Sequence, residues 1–204
     1  MFKLVRPLFA APMLLLAACS QAPAEPSPLA QGDWTLDSDD STLSYVTVKA
    51  GEIAEVNGFN ALSGSVAENG NAQIEIDLAS VNTGIDIRDE RMREVFFKVA
   101  DNPSATINAQ IDPAAFGSLG VGESITRPVS ATVSLAGVER EVETELVATR
   151  IADDRVLVVP AAPIIVEAGS FGLEEGLGKL QELAGLPSIT PAVPVTFSLT
   201  FERQ

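Results

Sequence analysis

The chain has 204 residues, 46% of them hydrophobic, with 13 basic against 28 acidic side chains and a formal charge of −15. So acidic a protein is repelled by nucleic acid and by anionic lipid, which removes nucleic-acid binding and flat electrostatic docking on a bilayer from consideration. The chain contains no histidine and a single cysteine, so histidine-based nucleophile systems lack their base, no internal disulfide can form, and zinc or copper sites lack their usual ligands.

The N-terminus carries Lys3 and Arg6 and then runs apolar from Leu8 to Ala18. The run is short of the roughly 20 residues that span a bilayer and ends in small side chains, the outline of an export signal. Leu16-Ala17-Ala18-Cys19 has the order of a lipoprotein processing site. Residues 1–18 are therefore expected to be a leader and Cys19 a lipid anchor. Multiple acyl chains there would give a hold that one chain does not. Ser20, in place of an aspartate, leans the expected location toward the outer rather than the inner membrane, with the domain facing the periplasm. Residues 19–33, rich in Pro, Ala and Ser, read as a tether. Residues 34–204 then suit one domain.

Period-two alternation recurs along that domain. Leu43 to Lys49, Gly58 to Ala67 and Ile74-Ile76-Leu78 read as strands, followed by Ser104 to Ile111 and Ala131-Val133-Leu135. Val142 to Ala148 and Val195-Phe197-Leu199-Phe201 complete the alternating set. Arg155 to Val166 holds continuous apolar runs broken at Pro160 and Pro163, expected to be covered on both sides or to line a cavity. Gly51, Gly58, Gly64, Gly70, Gly120, Gly122 and Gly137 are expected between strands or at their ends. Leu173, Leu177, Leu180 and Ala184 repeat at helical spacing before Gly185 and Pro187, and 86–97 forms a second short helix with Asp86 at its N-cap. The expected architecture is all-β: an antiparallel barrel of about eight strands with two short helices, a two-sheet sandwich being the competitor.

Phosphate-cradling glycine loops are missing. Asp37-Ser38-Asp39-Asp40-Ser41 lacks the glycine and distal glutamate of a calcium loop and reads as a solvated turn. Arg88-Asp89-Glu90-Arg91-Met92-Arg93 reads either as a helix with paired exposed charges or as a rim that grips a head group.

The order Ser80-Val81-Asn82-Thr83-Gly84, Arg88-Asp89, Met92-Arg93, Phe96-Phe97 and Pro103 resembles the YceI-like family. Trp34-x-Leu36-Asp37, Gly58-Phe59, Ser63-Gly64, Leu135-x-Gly137-Val138 and Ser170-Phe171-Gly172 are similar to further family segments. The family's usual arginine before the Phe-Gly motif is replaced by Ala168-Gly169. The resemblance spans Trp34 to Phe201 and implies an extended lipocalin-like barrel whose lumen holds an isoprenoid or fatty chain, such as a polyprenol or quinone. It implies sequestration or transport without catalysis and no cofactor beyond such a lipid. Tyr45, Phe59, Phe96 and Phe97 are then expected in the cavity wall, with Arg88 and Arg93 near its rim. The alternative is a structural or stress-protective envelope lipoprotein whose barrel is filled by its own phenylalanines. A homodimer is left open.

Overall fold

A computed structural model describes Leu29 and residues 31–204. The expected leader, Cys19 and most of the tether lie outside the described residues. Eleven strands alternate with short helical turns: β1 Trp34–Lys49, β2 Ile53–Phe59, β3 Leu62–Val66, β4 Asn71–Asp77, β5 Val81–Asn82 and β6 Ser104–Gln110. The second half comprises β7 Ser124–Leu135, β8 Val138–Ala152, β9 Arg155–Pro160, β10 Ile164–Glu167 and β11 Ala192–Arg203. Hydrogen bonding runs β1-β3-β4-β6-β7-β8-β9-β11 and returns to β1, closing an antiparallel barrel of eight strands. Closure leaves no free edge along that circuit. The expected barrel is the observed fold, and no sandwich forms.

Two staves are built from two strands each. β2 pairs with the second half of β1 and β3 with its start. β9 and β10 divide β11 in the same way. The expected single strand from Gly58 to Ala67 therefore breaks at Asn60-Ala61, where both backbone N–H groups turn to Ser80, one to its carbonyl at 3.0 Å and one to its Oγ at 3.0 Å. Pro160 and Pro163 mark the other break, as the sequence suggests. The apolar runs around them line the cavity with Val156, Val158, Ile164 and Val166, while Ile165 is 60% exposed on the opposite face.

Three local expectations need correction. Asp37 to Ser41 is no turn before a strand: it is a bulge inside β1, where the register with β11 shifts. Arg155 Nη2 binds Asp37 Oδ2 at 2.6 Å and Asp40 Oδ2 at 2.8 Å, and Thr200 N–H donates to Ser41 Oγ at 3.0 Å, so the acidic run is pinned to the sheet. Gly64 sits inside β3 rather than at its end. A Cβ there would lie 2.6 Å from Ile74 Cδ1 and 2.7 Å from the Gln73 carbonyl, so only a bare backbone fits. Finally, Asp86 is the first residue of its helix. The N-cap is Ile85, without a side-chain hydrogen bond.

One end of the barrel is covered by helical structure: α1 Asp86–Arg91, a π-helical turn Met92–Phe97, and α2 Glu174–Ala184. α2 packs on the π-helical turn through Gly176, whose position for a Cβ is 3.2 Å from Phe96 Cα. At the opposite end Leu29 N–H donates to the Gly117 carbonyl at 3.1 Å. Arg150, only 2% exposed, ties down the nearby loop by donating Nη1 to the Leu119 carbonyl at 3.0 Å. No helix among the described residues is long and apolar enough to cross a membrane.

Candidate functional site: the barrel lumen

Side chains at alternate positions of each stave point inward and enclose a cavity of about 1220 Å³. That exceeds the ~300–1,000 Å³ of ordinary small-molecule pockets. Its wall is mainly aliphatic and aromatic. Ala72 on β4 pairs with Ala109 on β6, which pairs with Ala131 on β7, and all three line the cavity. A belt of methyl groups across three adjacent staves leaves space in the lumen that larger side chains would occupy. Phe59, Phe96, Phe97 and Phe171 belong to the wall and leave the lumen hollow.

Toward the helical end the wall becomes aromatic and then polar. Tyr45 and Phe59 have ring centroids 5.8 Å apart, Phe59 and Phe97 5.9 Å, and Phe97 and Phe96 4.9 Å in an edge-to-face arrangement. This continuous series joins β1, β2 and the π-helical turn, with separations in the range where aromatic pairs attract. Beyond it Arg88 Nη1 donates to Glu55 Oε2 at 2.6 Å and Nη2 to the Thr83 carbonyl at 2.6 Å. Lys49 pairs with the same Glu55 carboxylate. Asp89 Oδ1 accepts from Thr83 N–H at 2.8 Å and from its hydroxyl at 2.5 Å. The loop after β5 and the start of α1 are thus fixed to β2 by charge-assisted bonds.

The Tyr45 hydroxyl is buried, and burial pushes its pKa above the ordinary 10.0. The Arg88 charge works against that shift and Asp89 with it. The phenol is a neutral donor throughout the physiological range. The Glu55 carboxyl is held below its ordinary 4.5, first by its hydrogen bond from Lys49; burial opposes this, and the Arg88 and Lys49 charges reinforce it. Tyr45 Oη, Asn57 Oδ1 and Arg88 Nε are buried without a hydrogen-bond partner among the described residues. Leaving such a group unpaired costs roughly 1–3 kcal/mol.

Among the described residues no group of three or more His, Cys, Asp or Glu could hold a metal ion. The wall offers an apolar surface: at ~25 cal/mol per Å² of apolar area removed from water, burial alone favours an apolar ligand there without directional contacts.

The family model of the YceI-like domain matches residues 34–201. The chain belongs to the YceI-like domain family. A solved polyisoprenoid binding domain from Saccharophagus degradans, described as implicated in plant cell wall breakdown, is 39% identical. The match covers 84% of this chain and 98% of that one, with a TM-score of 0.83. BcnA from Burkholderia cenocepacia is 20% identical over 81% of this chain and 98% of its own, with a TM-score of 0.63. A Campylobacter jejuni YceI protein is 13% identical over 72% and 84%, with a TM-score of 0.53. These last two share the fold alone. No curated protein matches the chain.

In this YceI-like barrel Tyr45, Phe59, Phe96 and Phe97 stand together in the wall, and Arg88 joins them at the helical end. Arg93 is not among the lining residues; Arg91, two residues earlier and so on a different face of the helical segment, is, and it donates Nη1 to the Leu183 carbonyl at 3.2 Å. Cys19 lies outside the described residues. Asn57, Lys49, Glu55 and Thr83 were not expected at the site. Asn57 could have been found by counting back two residues from Phe59, since both then face the lumen.

Proposed function

We propose that this domain binds a long apolar chain, isoprenoid or fatty, in its lumen and carries or sequesters it without chemical change. The observation that carries this reading is the hollow itself: about 1220 Å³ enclosed by apolar side chains from every stave. The 39% identical polyisoprenoid binding domain supports the same ligand class. A carrier needs no base or nucleophile, and a chain without histidine offers few.

In the same proposal residues 1–18 are removed on export, and Cys19 is acylated. Residues 19–33 tether the 34–204 domain to a membrane of the cell envelope, the outer more readily than the inner, facing the periplasm. The ligand then reaches the barrel from lipid close at hand, and a polyprenol or quinone fits the shape of the lumen.

Solvent extraction of the purified protein followed by mass spectrometry tests the binding claim. A long-chain lipid at a stoichiometric amount is expected. Its absence, together with no uptake of an added C20 isoprenoid, would overturn the carrier reading. Incorporation of labelled palmitate, abolished in Cys19→Ser, tests the anchor.

A further inference from the structure

Every stave of the barrel has a neighbour on both sides, yet the seam between β6 and β7 is zipped along only part of its length. The two strands pair from Thr106–Ser134 to Ala109–Ala131. The first part of β7, residues 124–129, has no backbone partner on that side among the described residues.

The sequence keeps this stretch unzipped. β7 and β8 are joined by two residues and pair without a shift from Leu135–Val138 to Ser124–Thr149. In such a hairpin the closing pair is hydrogen-bonded, and every second residue back from it turns its N–H and C=O to the same partner. Leu135, Val133 and so on to Arg127 therefore bond to β8, while Thr126 and Pro128 face the β6 side. Pro128 has no N–H to offer there. The Thr126 carbonyl accepts from Arg127 Nη1 at 3.1 Å. β6 ends at Gln110, and the chain leaves the seam for the turn Pro113–Phe116.

The lumen reaches both lips of the seam: Arg127 and Val129 line it from β7, and Ile111, Pro113, Ala114 and Phe116 from the other side. Residues 112–118 are bonded to one another and to Leu119. Among the described residues their sole hydrogen bond to a distant part of the chain is the one that Leu29 N–H donates to the Gly117 carbonyl at 3.1 Å. Leu29 also packs on the core and lines the lumen. The helical end is built differently, since the Arg88–Glu55, Asp89–Thr83 and Arg91–Leu183 bonds tie its pieces together and α2 packs on the π-helical turn. A segment held by one tie opens at lower cost than one held by several.

We propose that the lumen fills and empties through the unzipped part of the β6–β7 seam, with the Pro113–Phe116 turn as a flap and Leu29 as its latch. The inference rests on the carrier reading and adds to it the ligand's door. With the anchoring proposed above, Leu29 is ten residues from Cys19, which places the latch at most about 35 Å from the lipid surface.

The test mixes the full chain with retinol, a fluorescent C20 isoprenoid, in a stopped-flow instrument and reads energy transfer from Trp34, the only tryptophan, which lines the lumen. Release is read by transfer of retinol to phosphatidylcholine vesicles. The latch is closed in both the empty and the loaded barrel, so it cancels from the affinity and acts on the barrier alone. Leu29→Pro removes the N–H donor and is expected to quicken uptake and release alike, about fivefold, the contribution of one ordinary hydrogen bond, with Kd unchanged. Leu29→Gly, which withdraws the side chain, is expected to act in the same direction and serves if the first variant perturbs the fold. Asn102→Ala cuts the bond from Asn102 Nδ2 to the Phe97 carbonyl at the helical end and is expected to leave both rates as they are. Rates unmoved by both Leu29 variants, or quickened by Asn102→Ala instead, would overturn the door and leave the carrier intact. So would faster release with a matching loss of affinity, which would make Leu29 part of the ligand's wall and no latch. Failure of retinol to bind the unaltered chain would overturn the carrier reading and the door with it.

Discussion

Arg88 Nη1 lies 2.6 Å from Glu55 Oε2, joining the first turn of α1 to strand β2 across 33 positions of sequence. Lys49 shares that carboxylate, so one acidic side chain holds two cations at the helical end of the lumen. Because the folded Glu55 carboxyl titrates below its ordinary 4.5, its contribution is fully present above that value and is lost as pH falls through the lower folded value. Glu55→Gln is therefore expected to lower stability by about 1 kcal/mol at pH 7, a figure kept small by the partial exposure of the pair. Urea denaturation should find the difference between the two proteins constant above the ordinary carboxylate value and vanishing once pH falls below the lower folded one. A difference that persists below the lower value would disprove the linkage.

The methyl belt predicts an opposite response of stability and binding. Ala131→Phe places a large side chain into empty space beside Ala109. The melting temperature is expected to hold or rise, as cavity filling commonly gives, while affinity for a C20 isoprenoid drops at least tenfold. An unchanged affinity would show that the chain does not pass this belt.

Two glycines with positive φ separate conformational strain from collision. At Gly51, φ is +76° and a Cβ would meet nothing within 4 Å; at Gly70, φ is +87° and a Cβ would lie 2.0 Å from the Ile111 carbonyl. Gly51→Ala is expected to cost about 1 kcal/mol and Gly70→Ala about 3 kcal/mol or more in chemical denaturation. Equal losses would mean that the turn after β3 yields.

The hairpin between β7 and β8 is closed by Ala136 and Gly137 alone, with φ of +52° and +77°. Both central positions of such a primed turn require positive φ, which alanine adopts poorly and asparagine better. Ala136→Asn should raise stability by roughly 0.5–1 kcal/mol, read as a higher denaturation midpoint. A loss would show that Ala136 is held by packing rather than strained.

The parts of the fold legible from residues alone are those where one face meets the lumen and the other meets water. Ile74 and Ile76 against Gln73, Glu75 and Asp77 alternate cleanly because β4 is such a stave. β2 escaped the same reading because its polarity is inverted. Glu55 and Asn57 share the face that Phe59 turns to the site, while Val56 between them is 71% exposed, so the pattern ran against the rule that placed the other strands. The polar half of the site was hidden for the same reason. β1 was read from Leu43 onward since Asp37 to Ser41 looks solvated in isolation. Only the tertiary pairing with Arg155, more than a hundred residues away, makes that run part of a strand. The four aromatics and Arg88 were placed by family resemblance. Composition and periodicity offered no means to choose Arg91 over Arg93.

The barrel wall is completed by β1 and β11, the first and last strands described, paired from Trp34–Arg203 to Tyr45–Val195. Until β11 has left the ribosome the other staves form an open, curled sheet with one apolar side bare. No enclosed space exists in which a hydrocarbon could be captured. An apolar ligand can therefore be enclosed only once β11 has paired with β1, and until then the concave apolar side is open to association with other chains.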